Sequence, residues 1–304
     1  MTGARAGPTP GQGEDRPDAL ALSCVILTMG DRPAELSRAV RSVLDQAGPA
    51  IETVVVANGA APPALPPEVK TVALAANVGI PAGRNAGVAA CSGAVVLFLD
   101  DDGWYGCPDL AERVRRRFAR DPSLAVLSFR VSDPEGGPGQ RRHVPRLRAG
   151  DPQRSSAVTT FLGGACAIRR SAYEQVGGYP AAFFYAHEET DLAWRLLDAG
   201  HHLRYDADAQ MFHPAVVPSR HAQFFRLNAR NRVLLARRNL PWLVAAAYLV
   251  DWAMLMIVRE RSIRALRPWF AGFAEGWRAD PGERRPISWR TIWRMARAGR
   301  PPVI

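Results

Sequence analysis

The sequence predicts an α/β protein with a mostly parallel sheet, helices on its faces and a helical extension at the C-terminus. In the first half, short apolar runs alternate with amphipathic segments, which is the pattern of strand–helix–strand units. One apolar run, VVLFL, continues directly into three aspartates, Asp100 to Asp102. The last third is instead rich in arginine and tryptophan and is typical of helices. With 304 residues and 47% hydrophobic content, the chain can bury a large core.

The elements of the first half follow one another as strand, helix, strand, strand, helix, strand. Strands are predicted at residues 22–28, 51–57, 70–74 and 95–100, one helix runs from the GDRP turn to about residue 46, and a second has Pro81 in its first turn. Ligands of such sheets bind beyond the carboxyl ends of the strands, so the aspartates mark the predicted site.

Three regions are predicted along the chain. Residues 1–20 are rich in Gly, Pro and charge, which predicts a disordered tail without the apolar core of a signal peptide. Residues 21–218 are predicted to form the α/β domain, and residues 219–304 the basic, Trp-rich helical region. Four cysteines without metal-binding spacing predict a reduced, cytoplasmic environment: Cys24, Cys91, Cys107 and Cys166.

Three carboxylates behind a buried strand repel one another and require compensation. A hard cation such as Mg²⁺ or Mn²⁺ suits them, because it prefers oxygen ligands and is often shared with substrate phosphates. The alternate residues Asp100 and Asp102 are the better pair for one ion. The competing interpretation is a solvated turn.

A second motif, NVGIPAGRNAG at residues 77–87, places small residues at a helix start, where free N–H groups bind anions. Arg84 adds a charged guanidinium group and Asn85 adds a side-chain amide. An ordinary closely packed helix start is the alternative. The chain lacks both the Walker A sequence and G-x-G-x-x-G, which argues against ATPases and Rossmann dehydrogenases.

The acidic cluster HEETD begins a predicted helix after a strand broken by Gly163-Gly164, which permits close approach of a ligand. Asp191 can pair with Arg195 one turn later. Glu188 and Glu189 are harder to explain structurally, because adjacent carboxylates repel and raise each other's pKa towards the range of a general base. His213 ends a short strand and is structural unless it faces the metal.

The ordered set VILTMGDRP, VVVANG, NVGIPAGRNAG, FLDDD, FLGGACAIRR, HEETDLAWR and RNR resembles glycosyltransferase family 2, with the GT-A fold, over about residues 22–238. The resemblance implies an inverting transferase that uses a nucleotide-diphosphate sugar, a hydroxyl acceptor and Mg²⁺ or Mn²⁺. It implies that Asp100 contacts the ribose or metal, that Asp102 ligates the metal, and that His213 completes the site. The acceptor is a glycan, a lipid-linked molecule or a small molecule.

Two positions depart from the family pattern. The acidic pair is usually Glu-Asp, whereas here Glu189 takes the place of the base beside Glu188. The second strand usually ends in Asp-Asn, whereas here it ends in Ala57-Asn58, so dTDP, UDP and GDP sugars all remain open. The predicted substrate contacts are Thr28, Asp31, Arg32, Asn58, Asn77, Gly79, Arg84, Asn85, Asp100, Asp101, Gly163, Gly164 and Asp191.

The back of the chain carries eleven arginines against four acidic residues after residue 258. Residues 241–258 have no charge except Asp251, and we interpret them as a buried or in-plane helix rather than a spanning one, since Asp251 at a bilayer centre would cost about 2.5–3.5 kcal/mol. Two interpretations of this region stay open: a peripheral contact with an anionic membrane leaflet, or a helical cap on the catalytic domain.

Three other functions compete with this interpretation. A sugar-nucleotide pyrophosphorylase requires a catalytic lysine in an N-terminal Gly-rich loop, whereas the single lysine here is Lys70. A nucleic-acid binder would explain the net charge of +10 but not the acidic cluster, so no nucleic-acid partner is predicted. A catalytically inactive relative that only binds sugar nucleotides is the third alternative.

Overall fold

The computed structural model describes residues 20–136, 145, 151–214, 223–260 and 262–303. Nearly all of the predicted tail at 1–20, and the end of the predicted catalytic domain at 215–218, lie outside these residues. The strands are β1 (Leu22–Thr28), β2 (Glu52–Asn58), β3 (Lys70–Leu74), β4 (Val95–Asp100), β5 (Trp104–Tyr105), β6 (Leu124–Ser132), β7 (Ser156–Val158), β8 (Ala165–Arg169) and β9 (His202–Phe212).

Nine helices accompany the strands within the described residues. They are α1 (Pro33–Leu44), α2 (Gly79–Ala90), α3 (Leu110–Arg120), α4 (Arg170–Gln175), α5 (Glu188–Asp198), α6 (Phe224–Asn239), α7 (Trp242–Arg259), α8 (Ile263–Arg278) and α9 (Trp289–Arg297). The predicted α/β class is confirmed.

The strands form one sheet in the order β3-β2-β1-β4-β8-β6-β9-β5, with β7 paired to β9. The first four strands are parallel, as predicted. The next strand, β8, is antiparallel to both β4 and β6, so the second half of the sheet is mixed. The predicted strand through Gly163-Gly164 begins only at Ala165, because the two glycines form the approach to β8 beside the end of β4.

The core lies on both faces of the sheet. One face packs against α1 and α3 through residues such as Val40 and Phe118. The other packs against α2, α5 and α6 through residues such as Val88, Leu192 and Val233. Parallel strands covered on both faces are apolar throughout, which is why β1 and β4 read as unbroken hydrophobic runs.

The C-terminal helices pack onto the catalytic domain. A Cβ at Gly272 of α8 would lie 2.0 Å from the carbonyl oxygen of Arg226 in α6, so only glycine permits this close contact. Arg294 of α9 donates to the carbonyls of Leu197 (2.8 Å) and His201 (2.9 Å). The cap interpretation of this region therefore describes the packing of α6, α8 and α9.

Helix α7 is mostly exposed. Only Ala245, Tyr248 and Leu249 are buried, so the structure does not have the first of the two alternatives for residues 241–258, a buried helix. The reason is that α7 packs on the rest of the chain mainly through the face that carries these three residues, while the large side chains of the opposite face are exposed. The second alternative, a helix in the plane of a membrane interface, stays a prediction.

The single lysine lies away from the carboxyl ends of the strands. Lys70, at the start of β3, forms an ion pair with Glu52 at the start of β2. Hydrogen bonds from Lys70, Ser23 and Ser92 outweigh the effect of partial burial and lower the pKa of Glu52 to about 2. This lysine thus stabilises the sheet at the end opposite the predicted site.

Candidate active site

A cleft of about 460 Å³ opens where β4 ends and β8 begins. Its wall combines the end of β4, the glycine approach to β8, the start of α5 and the end of β9. Seven of the predicted site residues line it: Arg84, Asp100, Gly163, Gly164, Glu188, Glu189 and His213. The sequence spaces these residues over 130 positions, and the sheet topology brings them together.

Arg84 is the buried cation of the cleft. It lies on α2 with its side chain only 5% exposed, and it donates to Asp100 at 3.1 Å. Its Nη1 lies 3.6 Å from Glu189 Oε1 and 3.8 Å from Glu188 Oε1, beyond hydrogen-bond distance. Burial disfavours the charged guanidinium, but the Tyr179 hydroxyl and the three carboxylates outweigh this and raise the pKa of Arg84. Arg84 is therefore a permanent positive charge inside the cleft.

The two glutamates of α5 occupy different environments. The Glu188 side chain is 2% exposed, whereas that of Glu189 is 24% exposed and faces the cleft. Burial, together with the neighbouring Glu189, raises the pKa of Glu188. Burial also raises the pKa of Glu189, although Arg84 opposes this. Two carboxylates beside one guanidinium favour a shared proton, and the better buried Glu188 is the group that holds it.

Gly163 and Gly164 leave the space that these side chains fill. A Cβ at Gly163 would lie 2.2 Å from Glu189 Oε1 and 2.3 Å from Arg84 Nη1. A Cβ at Gly164 would lie 1.9 Å from Asp100 Oδ2. The close approach predicted at Gly163-Gly164 is thus made by charged side chains of the site itself, which lie against the backbone of these two glycines.

The two other aspartates face the end of β1. Asp101 accepts from Thr28 Oγ1 at 2.8 Å and from Arg32 at 3.3 Å, and burial raises its pKa to about 6. Asp102 accepts from Arg32 and lies 3.0 Å from His213 Nε2. Burial alone would raise the pKa of Asp102, but His213 and Arg32 lower it.

The predicted metal ligands are only partly brought together. Asp102 Oδ1 and His213 Nε2 are 3.0 Å apart, which is about the separation of adjacent ligands around an octahedral ion with bonds of about 2.1 Å. Asp100 instead turns to Arg84. Among the described residues, no group of three or more His, Cys, Asp or Glu surrounds a common point. The donor set fits an ion such as Mg²⁺ or Mn²⁺ that keeps water and phosphate ligands.

Other predicted contacts hold the loop before α2. Asn58 accepts from Val78 N at 2.9 Å and donates to Asn77 Oδ1 at 3.0 Å. Gly79, with φ of 85°, lies so close to Phe184 that a Cβ would meet its carbonyl oxygen at 2.5 Å. These residues shape the rim between the ends of β2 and α5. Asp31 is exposed on the loop before α1.

Two predicted substrate contacts lie behind the cleft. Asn85 uses its amide on Tyr173 and on the backbone N–H and carbonyl of Tyr179. Asp191 is fully buried and accepts from Arg195, Arg238 and Asn239. The predicted Asp191–Arg195 pair is present. These contacts favour a structural role for Asn85 and Asp191, and their contact with substrate stays a prediction.

Sequence reasoning missed the segment that leads into the acidic pair. Phe184, Ala186 and His187 have positive φ values of 61°, 72° and 69°, a conformation that is costly for residues other than glycine. Asn231 of α6, which is fully buried, donates to the carbonyls of Phe183 (2.8 Å), Tyr185 (2.6 Å) and Ala186 (2.8 Å). The RNR sequence was the available signal for this contact.

We expect Asn231→Ala to destabilise the fold by about 1–3 kcal/mol, because the carbonyls of Tyr185 and Ala186 lose the amide that donates to them, whereas the Phe183 carbonyl keeps a contact from Arg230 at 2.8 Å. Asn231→Asp should cost more, since a carboxylate would face those carbonyl oxygens. Urea unfolding measures both variants. Because the strained segment fixes the start of α5, hydrolysis of the nucleotide sugar that the resemblance implies should also fall, per folded molecule. Unchanged hydrolysis by folded Asn231→Ala would show that Asn231 has no positioning role.

The C-terminal region also contributes to the cleft. Phe224, at the start of α6, and Arg300, beyond α9, both line it. Thr159, next to the cleft-lining Thr160, donates to the Arg300 carbonyl at 3.2 Å. The basic helical region is therefore part of the site's enclosure, which no local sequence pattern indicated.

Comparison with known proteins agrees with this arrangement. The model of the family described as Glycosyl transferase family 2 matches residues 23–177. The Pre-mycofactocin glycosyltransferase of Mycobacterium tuberculosis is 34% identical over 145 residues, which cover 43% of this chain and 29% of that protein. The match thus spans less than a third of the length of this curated relative.

Solved structures share the fold at low identity. GalNAc-T7, crystallised with UDP, GalNAc and Mn²⁺, superposes with a TM-score of 0.64 at 16% identity, covering 92% of this chain and 57% of that one. PcManGT, a mannosyltransferase from Pyrobaculum calidifontis in complex with GDP-Man and Mn²⁺, gives 0.53 at 16% identity, with coverages of 92% and 73%. S. aureus TarS 1-349 gives 0.57 at 13% identity, with coverages of 90% and 83%. With its GT-A fold and a family match over half its length, the chain belongs to glycosyltransferase family 2.

Proposed function

We propose that this protein is an inverting, metal-dependent glycosyltransferase that moves a sugar from a nucleotide-diphosphate donor to a hydroxyl acceptor. One observation carries the proposal: Glu189, a part-exposed carboxylate with a raised pKa, opens on the same cleft as Asp100, Arg84 and His213. This arrangement supports the proposal, because a proton acceptor and a positive charge for a leaving group would face the same cavity. Relatives with the same fold bind UDP, UDP-GlcNAc or GDP-Man.

The donor end of the site is formed by the ends of β1 and β4. Asp102 and His213 would hold Mg²⁺ or Mn²⁺, which when bound neutralises charge on the diphosphate. Arg84 adds a fixed positive charge towards the departing group. Thr28, Asp101 and Arg32 are linked by hydrogen bonds at the end of β1 and would orient the nucleoside.

The acceptor end is formed by α5. Glu189 accepts the proton of the incoming hydroxyl as that oxygen attacks the anomeric carbon. The bond from this carbon to the diphosphate breaks, the nucleoside diphosphate departs, and the sugar is transferred with inverted configuration. Glu188 keeps a proton and so leaves the negative charge on its neighbour. Ala57 is fully buried in β2, and Asn58 is engaged with the loop before α2, so UDP, dTDP and GDP donors all remain open.

Donor-dependent thermal stabilisation tests the proposal. UDP-GlcNAc, UDP-GalNAc and GDP-Man are each added with Mn²⁺, with Mg²⁺ and with EDTA. At a donor concentration of about 100 Kd, binding adds about 2.7 kcal/mol, which raises Tm by about 4 °C. A shift that requires both donor and metal, followed by slow release of nucleoside diphosphate, supports the function. A shift without any turnover would favour the inactive, donor-binding alternative.

The pH dependence of donor hydrolysis should show an acidic limb above the ordinary pKa of a glutamate, 4.5. The base works only when ionised, and its pKa is raised, so the rate falls as pH drops through that raised value. The rate is measured as nucleoside diphosphate released at saturating donor and metal. A rate that stays constant down to pH 4.5 would contradict the assignment of Glu189.

A further inference from the structure

A continuous apolar face runs along the outside of α7. Its large side chains are 54–80% exposed and recur at helical spacing: Leu243, Val250, Met254, Ile257 and Val258. We call these five residues the α7 stripe. Soluble monomers seldom expose a contiguous patch of this kind, and such patches mark interaction surfaces. Among the described residues, α7 is the one helix long and apolar enough to cross a membrane, with a mean hydropathy of 1.6.

The opposite face of α7 is fixed to the catalytic domain. The guanidinium of Arg232, in α6, lies 3.3 Å from the centre of the Trp252 ring and donates to the Tyr248 hydroxyl at 3.1 Å. Ala245 and Leu249 are buried beside this contact. These contacts hold α7 along the surface of the folded domain, so the stripe is a lateral surface of the protein.

Arginines flank the stripe at both ends. Arg259 ends α7 and is exposed, and the first turns of α8 carry exposed Arg264 and Arg267. At the other end, Arg284 stacks 4.1 Å over Trp242, whose ring is otherwise exposed. Exposed apolar residues with arginine and tryptophan at their margins are the features of a helix that lies in the interface of an anionic bilayer.

The charge pattern favours a membrane over a second copy of the chain. A symmetric dimer through the stripe would oppose arginine-flanked ends to one another, which is repulsive in either orientation. An anionic surface attracts both ends. A spanning orientation is disfavoured because Asp251 would enter the hydrocarbon and the Arg232 contacts with Tyr248 and Trp252 would break.

We propose that the α7 stripe and its flanking arginines dock the folded protein onto an anionic bilayer, with α7 lying in the plane of the interface. The docked surface is related to the cleft. Arg232 of α6 holds α7 through Tyr248 and Trp252, and Phe224 lies eight residues, or about 12 Å, earlier on the same helix α6. Phe224 lines the cleft. Docking would therefore bring the cleft close to the bilayer.

Flotation of the full chain with vesicles tests the docking. The vesicles are phosphatidylcholine alone or phosphatidylcholine mixed with phosphatidylglycerol, at low and high salt. We expect recovery with the mixed vesicles at low salt and release at high salt, because screening weakens the arginine contacts. Arg264→Glu/Arg267→Glu and, separately, Val250→Asp/Met254→Asp should each reduce partitioning at least about tenfold.

The matched control is Arg116→Glu/Arg120→Glu, which makes the same charge change at exposed positions of α3. It should leave partitioning within about twofold of the parent. All substituted side chains are exposed, and an unchanged Tm verifies folding. Equal recovery with neutral vesicles, recovery with neither, or an equal loss in the α3 control would overturn the proposal. Vesicle binding that resists high salt and carbonate would also overturn it, since that indicates a spanning helix. A concentration-dependent dimer that Val250→Asp dissociates would do the same, since the stripe would then contact a second copy of the chain.

Discussion

Replacing Glu189 with glutamine should lower turnover about 10²–10⁴-fold, with little change in donor or metal affinity. A base acts mainly in the transition state, and an amide cannot accept the hydroxyl proton. The side chains are nearly isosteric, so the space beside Gly163 stays filled and the fold is retained. The measurement is donor hydrolysis at saturating nucleotide sugar, together with the thermal shift that reports donor binding. The acidic limb of the pH profile should disappear in the same variant.

Glu188→Gln is the matched control. Because burial raises the pKa of Glu188, its neutral form resembles glutamine, and the substitution should reduce turnover only mildly. If Glu188→Gln collapses turnover while Glu189→Gln stays near the parent, the base lies one residue earlier. If both variants keep near-normal turnover, neither residue is the base and the acidic pair is structural.

Asp102→Asn should abolish the stabilisation that a nucleotide-sugar donor gives in the presence of Mn²⁺, because the affinity for Mn²⁺ should fall by about 100-fold or more. Loss of a group that only supports a metal ligand already costs about 10–100-fold in metal affinity, and here a charged ligand itself is lost. His213 would keep a hydrogen-bonding partner, so the end of β9 should remain in place. Titration of Mn²⁺ with and without donor, monitored by thermal shift, measures the effect.

Asp101→Asn is the control for the metal. Asp101 shares the Arg32 contact but pairs with Thr28, whereas Asp102 faces His213. Asp101→Asn should therefore still require Mn²⁺ for stabilisation by the nucleotide sugar, even if its affinity for that donor changes. Unchanged Mn²⁺ affinity in folded Asp102→Asn would remove Asp102 from the metal site.

The strands of the first half were predictable because they are buried on both faces. β1 has the predicted bounds of residues 22–28, and β2 is displaced by only one residue. Pro81 lies in the first turn of α2, as predicted. The second half was less predictable: β8 starts after the glycines, and the short strand expected at His213 is the end of the eleven-residue β9. Strands that pair both parallel and antiparallel show no single hydrophobic period in the sequence.

The α/β class, the end of β4 as the site and the residue types that gather there follow from the sequence alone, because buried strands and charged motifs are local patterns. Which charged side chains are in contact depends on the tertiary structure. Asp100 faces Arg84 while Asp102 faces His213, since α2 and β9 approach β4 from different sides. Glu188 is buried and Glu189 opens to the cleft because Asn231, some forty residues later, sets the entry to α5. Such pairings depend on contacts between distant segments, and no local pattern encodes them.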